Sequence, residues 1–145
     1  MIDVIDRIIH GQCTRAVFAA NSFLLSVDGA HAYHPNYKDR YEDAHCALMH
    51  KGPVLKYNTN KRYATNGISA AVIKQIAKQH QIPIQEFVVR NDSPCGSTIG
   101  PIISALSGIQ TADIGNPMLS MHSVREMCGT SDISYLCRLL KAFWS

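Results

Sequence analysis

Phe23-Leu24-Leu25-Ser26-Val27-Asp28-Gly29-Ala30-His31-Ala32-Tyr33-His34-Pro35-Asn36-Tyr37 is the stretch that decides the fold. Its first five residues are mostly apolar and predict a buried strand, which ends where Asp28 and Gly29 begin a turn. In open α/β sheets, ligands bind in the crevice beyond the C-terminal ends of the strands. We therefore expect the chemistry of this protein to centre on Asp28.

The same stretch carries two histidines directly after the predicted strand. Pro35 disfavours a helical conformation at His34, so His31 and His34 are predicted to lie on a loop. Together with Asp28 they offer oxygen and nitrogen ligands that suit zinc, manganese or cobalt better than calcium. The alternative is equally simple: an acid that ends a strand often caps a loop, and loop histidines are often solvated.

The rest of the chain alternates predicted helices and strands. The pattern predicts helices over residues 1–10, 65–79, 102–107 and 132–143, and strands over residues 52–58, 87–89 and 109–114. Residues 39–50 have no clear period. This order predicts one α/β domain over residues 1–145, with a mainly parallel sheet and flanking helices.

Two of the predicted helices have an apolar face that can be named in advance. The helix over residues 65–79, with Thr65 as its cap, is expected to bury Ile68, Ala71, Val72, Gln75, Ile76 and Gln79. The C-terminal helix is expected to pack through Ile133, Leu136, Leu140 and Phe143.

Composition excludes several classes of function. The 145 residues carry a net charge of +3 from scattered lysines and arginines, so the sequence makes a poor case for nucleic acid. Five widely spaced cysteines without a Cys-x-x-Cys pair favour a reducing compartment. No stretch reaches the ~18 to 20 apolar residues of a membrane helix, and no signal peptide is apparent, so we expect a soluble cytoplasmic protein without membrane contact.

A second group of residues near the C-terminal half has open interpretations. The turn Asn91–Pro101 is typical either of an anion cradle at a helix start or of a tight structural turn. His122 is either a ligand or a core histidine that donates to a carbonyl group. Neither Ser97 nor Cys95 has the sequence context of a catalytic nucleophile.

Three motifs in order resemble aspartyl aminopeptidases of the M18 metallopeptidase family. They are Ser26–Tyr37, Asn91–Pro101 and Met121–Met127, the last reading Met-His-Ser-Val-Arg-Glu-Met. Between them, His50–Lys56 and Arg62–Ala64 also look like family sequence. The resemblance extends over nearly the whole chain after residue 21, and it implies a partial three-layer, zinc-peptidase-like α/β domain.

The resemblance also implies roles for individual residues. Members of the family hold two metal ions, zinc with manganese or cobalt as possible substitutes, and assemble into homo-oligomers. Asp28 is then a ligand of one ion and His122 a ligand of the other. The remaining matches correspond to substrate-binding positions: His31, Lys56, Tyr63, Gly96, Ser97 and Thr98. The Lys56 ammonium suits the side chain of an N-terminal Asp or Glu of a peptide substrate.

Other parts of the family's site have no counterpart here. An upstream histidine, a bridging aspartate and a Glu-Glu pair complete that site, and neither Glu42, Glu86 nor Glu126 stands in such a context. We therefore expect the chain to be the C-terminal part of the catalytic domain, without the general-base glutamate and inactive alone. The alternative is a non-catalytic fragment or subunit homologue that assembles with a full-length partner.

Overall fold

The computed structural model describes all 145 residues and contains two sheets and five α-helices. The strands are β1 Phe23–Val27, β2 Ala30–His31, β3 Val54–Tyr57, β4 Gln85–Val88, β5 Gln110–Gly115, β6 Pro117–Leu119 and β7 Met127–Cys128. The helices are α1 Ile2–Ile9, α2 Arg15–Ala20, α3 Gly67–Gln79, α4 Ile99–Ser107 and α5 Thr130–Trp144. A 3₁₀ helix covers Pro35–Arg40.

The main sheet has the strand order β1-β5-β3-β4. β1 pairs with β5 and β3 with β4 in parallel, whereas β3 and β5 are antiparallel. The prediction of a mainly parallel α/β sheet is confirmed. Beyond β1 and β5 the chain continues into a small sheet of order β2-β6-β7, in which β2 and β6 are again parallel. The two sheets meet at Asp28, whose backbone N–H donates to the Ile114 carbonyl at 3.0 Å.

Helices lie on both faces of the main sheet. α3 and α5 cover one face, where the central core consists of Leu55, Ala70, Ile73, Ala77, Ile82, Ala112, Ile114 and Leu139. α4 packs on β1 and β5 from the other face. Asp113, which lies between the core residues Ala112 and Ile114 of β5, points to this other face because side chains alternate along a strand. The result is the three-layer arrangement expected from the family resemblance.

Most of the buried face predicted for α3 is wrong: of the six residues expected to be buried, Ile76 alone packs against the core. Ile68 is 71% exposed and Val72 39% exposed, whereas the buried residues are Ser69, Ala70, Ile73 and Ala77. Both sets recur at helical spacing, and the small side chains of the second set let the helix approach the sheet closely. The two large aliphatic residues therefore remain on the outside.

The cap of α3 also differs from the prediction. Asn66, not Thr65, is the cap: its side-chain oxygen accepts from the N–H groups of Ile68 and Ser69, each at 3.0 Å. The Ser69 hydroxyl in turn accepts from the Asn66 N–H, which completes a capping box. Thr65 is instead buried, and its hydroxyl bonds the backbone of Asp113.

α5 begins two residues earlier than predicted and packs on a shifted face. Leu139 is its fully buried apolar residue, and Leu136 and Phe143 pack at the edge of the core as expected, but Ile133 is 51% exposed. The reason is Asp132, which is fully buried and accepts from the N–H groups of His50 at 2.7 Å and Gly52 at 2.8 Å. This inward-facing carboxylate connects the start of α5 to the loop before β3.

Replacing Asp132 with alanine is expected to destabilise the chain by about 2 to 4 kcal/mol. The change leaves the buried N–H group of Gly52 and the part-buried N–H group of His50 without an acceptor, at a cost of about 1 to 3 kcal/mol for a buried group. Urea denaturation gives the free energy of unfolding. Ser134→Ala, on the exposed side of the same helix, is the matched control and is expected to change it by less than about 0.5 kcal/mol. Equal values for the two variants would contradict the role of Asp132.

The remaining segments show smaller differences from prediction. The helix predicted over residues 1–10 is confirmed as α1, and residues 41–50 are irregular as expected. α2 was not predicted; it begins after Thr14, whose hydroxyl accepts from the Val17 N–H at 3.3 Å. The predicted loop with two histidines contains the two-residue strand β2. None of the helices is both long and apolar enough to cross a membrane.

Large apolar side chains remain exposed on the outer faces of α1, α3 and α4. They are Val4, Ile8, Ile68, Val72, Ile99, Ile102 and Leu106, with exposed fractions from 39% to 71%. In addition, β1 and β4 are edge strands of the main sheet. Open edges and apolar outer faces are the features expected of a sheet that continues into further chain.

Candidate active-site cleft

All eight residues predicted for the site line one cleft with a volume of about 320 Å³. The cleft lies beyond the C-terminal end of β1, as predicted from the position of Asp28. Its walls are Asp28, Gly29, His31, Lys56, Tyr63, Gly96, Ser97, Thr98, Met121 and His122. His34 lies outside it and caps the 3₁₀ helix, where its Nδ1 accepts from the Asn36 N–H at 3.2 Å.

Asp28 reaches the cleft because β5 ends in a glycine, Gly115, where its backbone lies against the backbone of Asp28. A Cβ on Gly115 would lie 1.5 Å from the Asp28 carbonyl oxygen, so only glycine lets the chain leave β1 at this place. The Asp28 side chain is 61% exposed. One of its carboxylate oxygens accepts from the Gly29 N–H at 2.7 Å, and the other lies 3.8 Å from Lys56 Nζ.

Lys56 is the largest fully buried side chain of the protein, with 1% exposure. It lies on the face of β3 opposite to Leu55, because side chains alternate along a strand. Its ammonium donates to the Gly29 carbonyl at 3.0 Å and lies 5.1 Å from the centre of the Tyr63 ring. Burial lowers the pKa of Lys56, and the charges of Asp28 and Asp113 act against this shift. A buried ammonium with a single short hydrogen bond favours a further anionic partner.

His31 and Tyr63 offer neutral hydrogen-bonding groups beside this lysine. Partial shielding from water lowers the pKa of His31, and the nearby His122 and Lys56 lower it further, which favours the neutral imidazole. Tyr63 is 7% exposed, and burial together with the Cys95 thiol raises its pKa, which keeps the phenol protonated.

The Gly96–Thr98 loop forms the wall that faces Tyr63. The Ser97 hydroxyl donates to the Arg62 carbonyl at 3.2 Å, and the Thr98 hydroxyl donates to the Asp113 carboxylate at 2.6 Å. Asp113 is fully buried and was not predicted as part of the site. The available signal was an acid within the apolar run 109–114, whose burial requires polar partners.

His122 enters the cleft from a tight loop after β6. Its φ of 66° is left-handed, a conformation that is uncommon for a histidine and that clusters at functional sites. The backbone N–H of His122 donates to the Glu126 carboxylate at 2.7 Å. Glu126 therefore stabilises this loop.

The ligand-type side chains of the cleft do not complete a metal centre. No group of three or more His, Cys, Asp or Glu residues in the chain is placed to hold a metal ion. A protein zinc site uses three or four such ligands. Asp28 and His122 are two ligand-type side chains in the cleft, fewer than such a site needs, and the first hypothesis of a site made of Asp28, His31 and His34 is wrong.

The model of the aminopeptidase I zinc metalloprotease family, M18, matches residues 3–144. The chain belongs to the M18 family of aminopeptidases, which confirms the resemblance found in the three motifs. The chain is 59% identical over 124 residues to an aspartyl aminopeptidase of Dictyostelium discoideum and 52% identical over 129 residues to aspartyl aminopeptidase 1 of Schizosaccharomyces pombe. These matches cover 86% and 89% of this chain but 26% and 27% of the relatives.

Solved structures show the same fold. The cryo-EM structure of the Ape4 and Nbr1 complex superposes with a TM-score of 0.91 at 49% identity, over 98% of this chain and 28% of that one. The structure of the S. cerevisiae mApe1 dodecamer superposes with a TM-score of 0.86 at 27% identity, over 98% of this chain and 32% of that one. The chain thus spans about a quarter of the length of its curated relatives.

Proposed function

We propose that this chain is the substrate-binding part of an aspartyl aminopeptidase, a metallopeptidase that removes Asp or Glu from the N-terminus of peptides. The observation that carries the proposal is the buried Lys56 ammonium at the wall of a cleft of about 320 Å³. It would pair with the side-chain carboxylate of the first substrate residue. The names of the relatives in Dictyostelium and fission yeast support the same substrate class.

The other cleft residues have complementary roles in this proposal. His31 and Tyr63 would donate or accept hydrogen bonds as neutral groups beside the carboxylate, and the Gly96-Ser97-Thr98 loop would contact the same end of the substrate. Asp28 and His122 would each supply one ligand to a two-metal site. Zinc is the metal in the description of the family, and manganese or cobalt are alternatives. The remaining ligands and the general base would come from residues outside this chain.

The wider setting is part of the proposal. Residues 1–145 would form the C-terminal part of the catalytic domain, and the complete enzyme would be a homo-oligomer, as the mApe1 dodecamer is. A cytoplasmic location is supported by five cysteines that are all free thiols in the structure.

A second function is supported by a different observation. The exposed aliphatic residues on α3 and α4, such as Ile68 at 71% and Leu106 at 64%, are suited to contact with another chain. A non-catalytic chain could use these faces to join a full-length M18 partner without turnover of its own. Activity, rather than association, separates the two functions.

The test is a chimera in which the matching 124 residues of this chain replace their counterpart in the Dictyostelium relative. The chimera, loaded with zinc or manganese, is expected to hydrolyse Asp- and Glu-naphthylamides and to discriminate against Leu-naphthylamide. The 145-residue chain alone is expected to show no turnover with either metal, because the missing ligands and base are not in it.

The unmodified Dictyostelium enzyme is the positive control, and intact mass with metal content verifies that the chimera is assembled and loaded. A loaded chimera that cleaves nothing would overturn the proposed enzyme in favour of the assembling chain. A chimera that cleaves neutral and acidic substrates equally would remove the acidic specificity. Turnover by the isolated chain would show that the site is complete without other residues.

A further inference from the structure

Asp113 is a fully buried carboxylate in the main sheet, and no lysine or arginine lies within ion-pair distance of it, although its charge acts on the nearby Lys56 ammonium. A buried charge without a counter-ion is costly unless hydrogen bonds satisfy it. The structure places such a group directly behind the cleft.

Each carboxylate oxygen of Asp113 holds a different wall of the cleft. Oδ2 accepts from the Ala64 backbone N–H at 2.6 Å, and Ala64 follows Tyr63 in the chain. Oδ1 accepts from the Thr98 hydroxyl at 2.6 Å, and Thr98 ends the Gly96–Thr98 loop. The carboxylate thus connects the aromatic wall to the Gly96–Thr98 loop, alongside the direct bonds to the Arg62 carbonyl from the Ser97 hydroxyl at 3.2 Å and the Thr98 N–H at 3.4 Å.

Neighbouring residues fit this arrangement closely. A Cβ on Gly100 would lie 2.6 Å from the Asp113 carboxylate, so the start of α4 can approach the carboxylate only without a side chain. Thr65 fixes the Asp113 backbone on the other side, since its hydroxyl accepts from the Asp113 N–H at 2.8 Å. The Asp113 carboxylate therefore has a fixed position relative to both walls.

We infer that Asp113 is a positioning residue for substrate selectivity: its carboxylate clamps the Tyr63 wall and the Gly96–Thr98 wall at the spacing that admits an acidic side chain to Lys56. This inference rests on the proposed function, but the clamp itself is a property of the fold. Asp113 contacts no substrate in this assignment. It acts on binding through the two walls.

The test compares Asp113→Ala and Asp113→Asn with Asp132→Ala in the chimera described above. Asp132 is the matched control because it is an equally buried carboxylate that accepts two backbone N–H groups, away from the cleft. The readout is the ratio of kcat/KM for Asp- and Leu-naphthylamide. This ratio is independent of the fraction of folded enzyme, so a merely structural role does not move it.

Asp113→Ala is expected to reduce the ratio about 10- to 100-fold, mainly through KM for the acidic substrate, because misplaced binding groups lose that much. Asp113→Asn keeps one acceptor oxygen, so its ratio is expected to lie between the ratios of Asp113→Ala and the parent. Asp132→Ala is expected to leave the ratio within about twofold while lowering stability. Thr98→Val removes the bond to Oδ1 of Asp113. An unchanged ratio in this variant would overturn the inference even if Asp113→Ala does not fold.

Hydrogen exchange of the 145-residue chain separates the clamp from the proposed function. The Ala64 amide is expected to exchange about tenfold faster, or more, in Asp113→Ala than in Asp132→Ala, because its acceptor is lost. If the parent chimera were inactive, the proposed function would fail, and exchange would still decide the clamp. Equal exchange at Ala64 in the two variants would overturn it.

Discussion

Replacing Lys56 with methionine in the chimera is expected to lower kcat/KM for Asp- and Glu-naphthylamides by about 30-fold or more. The change removes a desolvated positive charge while keeping the volume of the side chain, and loss of one partner of a buried charge pair costs about 2 to 5 kcal/mol. Lys56→Glu is expected to have a larger effect, because it places a carboxylate against the carboxylate of the substrate. The kcat/KM for Leu-naphthylamide is expected to change much less, because this substrate has no side-chain carboxylate.

Lys51→Met is the matched control for this prediction. Lys51 lies on the same approach to β3 but is exposed to solvent, so its charge is screened. It is expected to leave both kcat/KM values within about twofold. A Lys56→Met variant with parent-like kcat/KM for acidic substrates would remove Lys56 from the substrate pocket and with it the main support for the proposed specificity.

In contrast to its effect on activity, Lys56→Met is expected to leave the stability of the chain unchanged or to increase it. A buried ammonium with one hydrogen bond at 3.0 Å is replaced by an apolar side chain that needs none. Replacing buried ionic groups with apolar residues of similar volume is often neutral or stabilising. A loss of activity together with unchanged or higher stability would show that Lys56 is retained for binding rather than for folding.

The cleft is built where the main sheet continues into the small sheet, with the pairing of β1 and β5 carried on in the same register by β2 and β6. The chain leaves β1 at Asp28 and continues into β2, and in parallel it leaves β5 at Gly115 and continues into β6. The segment from β1 to β2 carries Asp28 and His31, and the segment from β5 through β6 leads to the loop with His122. Residues that are 94 positions apart in the sequence, Asp28 and His122, thereby line the same cleft.

Local patterns were sufficient to predict the frame of this arrangement. The apolar run Phe23–Val27 predicted β1 and the position of Asp28 at its end, since a strand and its first turn depend on adjacent residues. The positions of Lys56, Tyr63 and His122 came from the family resemblance, not from spacing. Their grouping in one cleft agrees with that resemblance, while their roles remain proposals.

Features that depend on distant partners could not be predicted. The buried face of α3 was assigned to the larger aliphatic residues, because hydrophobicity alone does not show that Ser69 and Ala70 fit closer to a sheet. Asp113 and Asp132 were not assigned their roles, because the groups that satisfy them lie up to 82 residues away in the chain, as for Asp132 and His50. Only the fold shows that these acids have backbone donors around them.

Gly115→Ala is expected to destabilise the chain by about 4 kcal/mol or more, in the range reached only by severe overpacking or strain. The new Cβ would lie 1.5 Å from the Asp28 carbonyl oxygen and 2.6 Å from the carbonyl carbon. Neither atom belongs to a flexible side chain, so the backbone between β1 and β2 must move. That movement displaces Asp28 from the cleft, and any chimera that still folds is expected to lose its activity.

Gly67→Ala is the matched control, because a Cβ at Gly67 meets no atom within 4 Å and the residue is the first of α3. It is expected to stabilise the chain by about 0.5 to 1 kcal/mol, since alanine favours the helix and restricts the unfolded chain. Urea denaturation of both variants measures the difference. A Gly115→Ala chain as stable as the parent would mean that the Gly115 and Asp28 backbones do not approach this closely. The position of Asp28 at the cleft would then lose its structural basis.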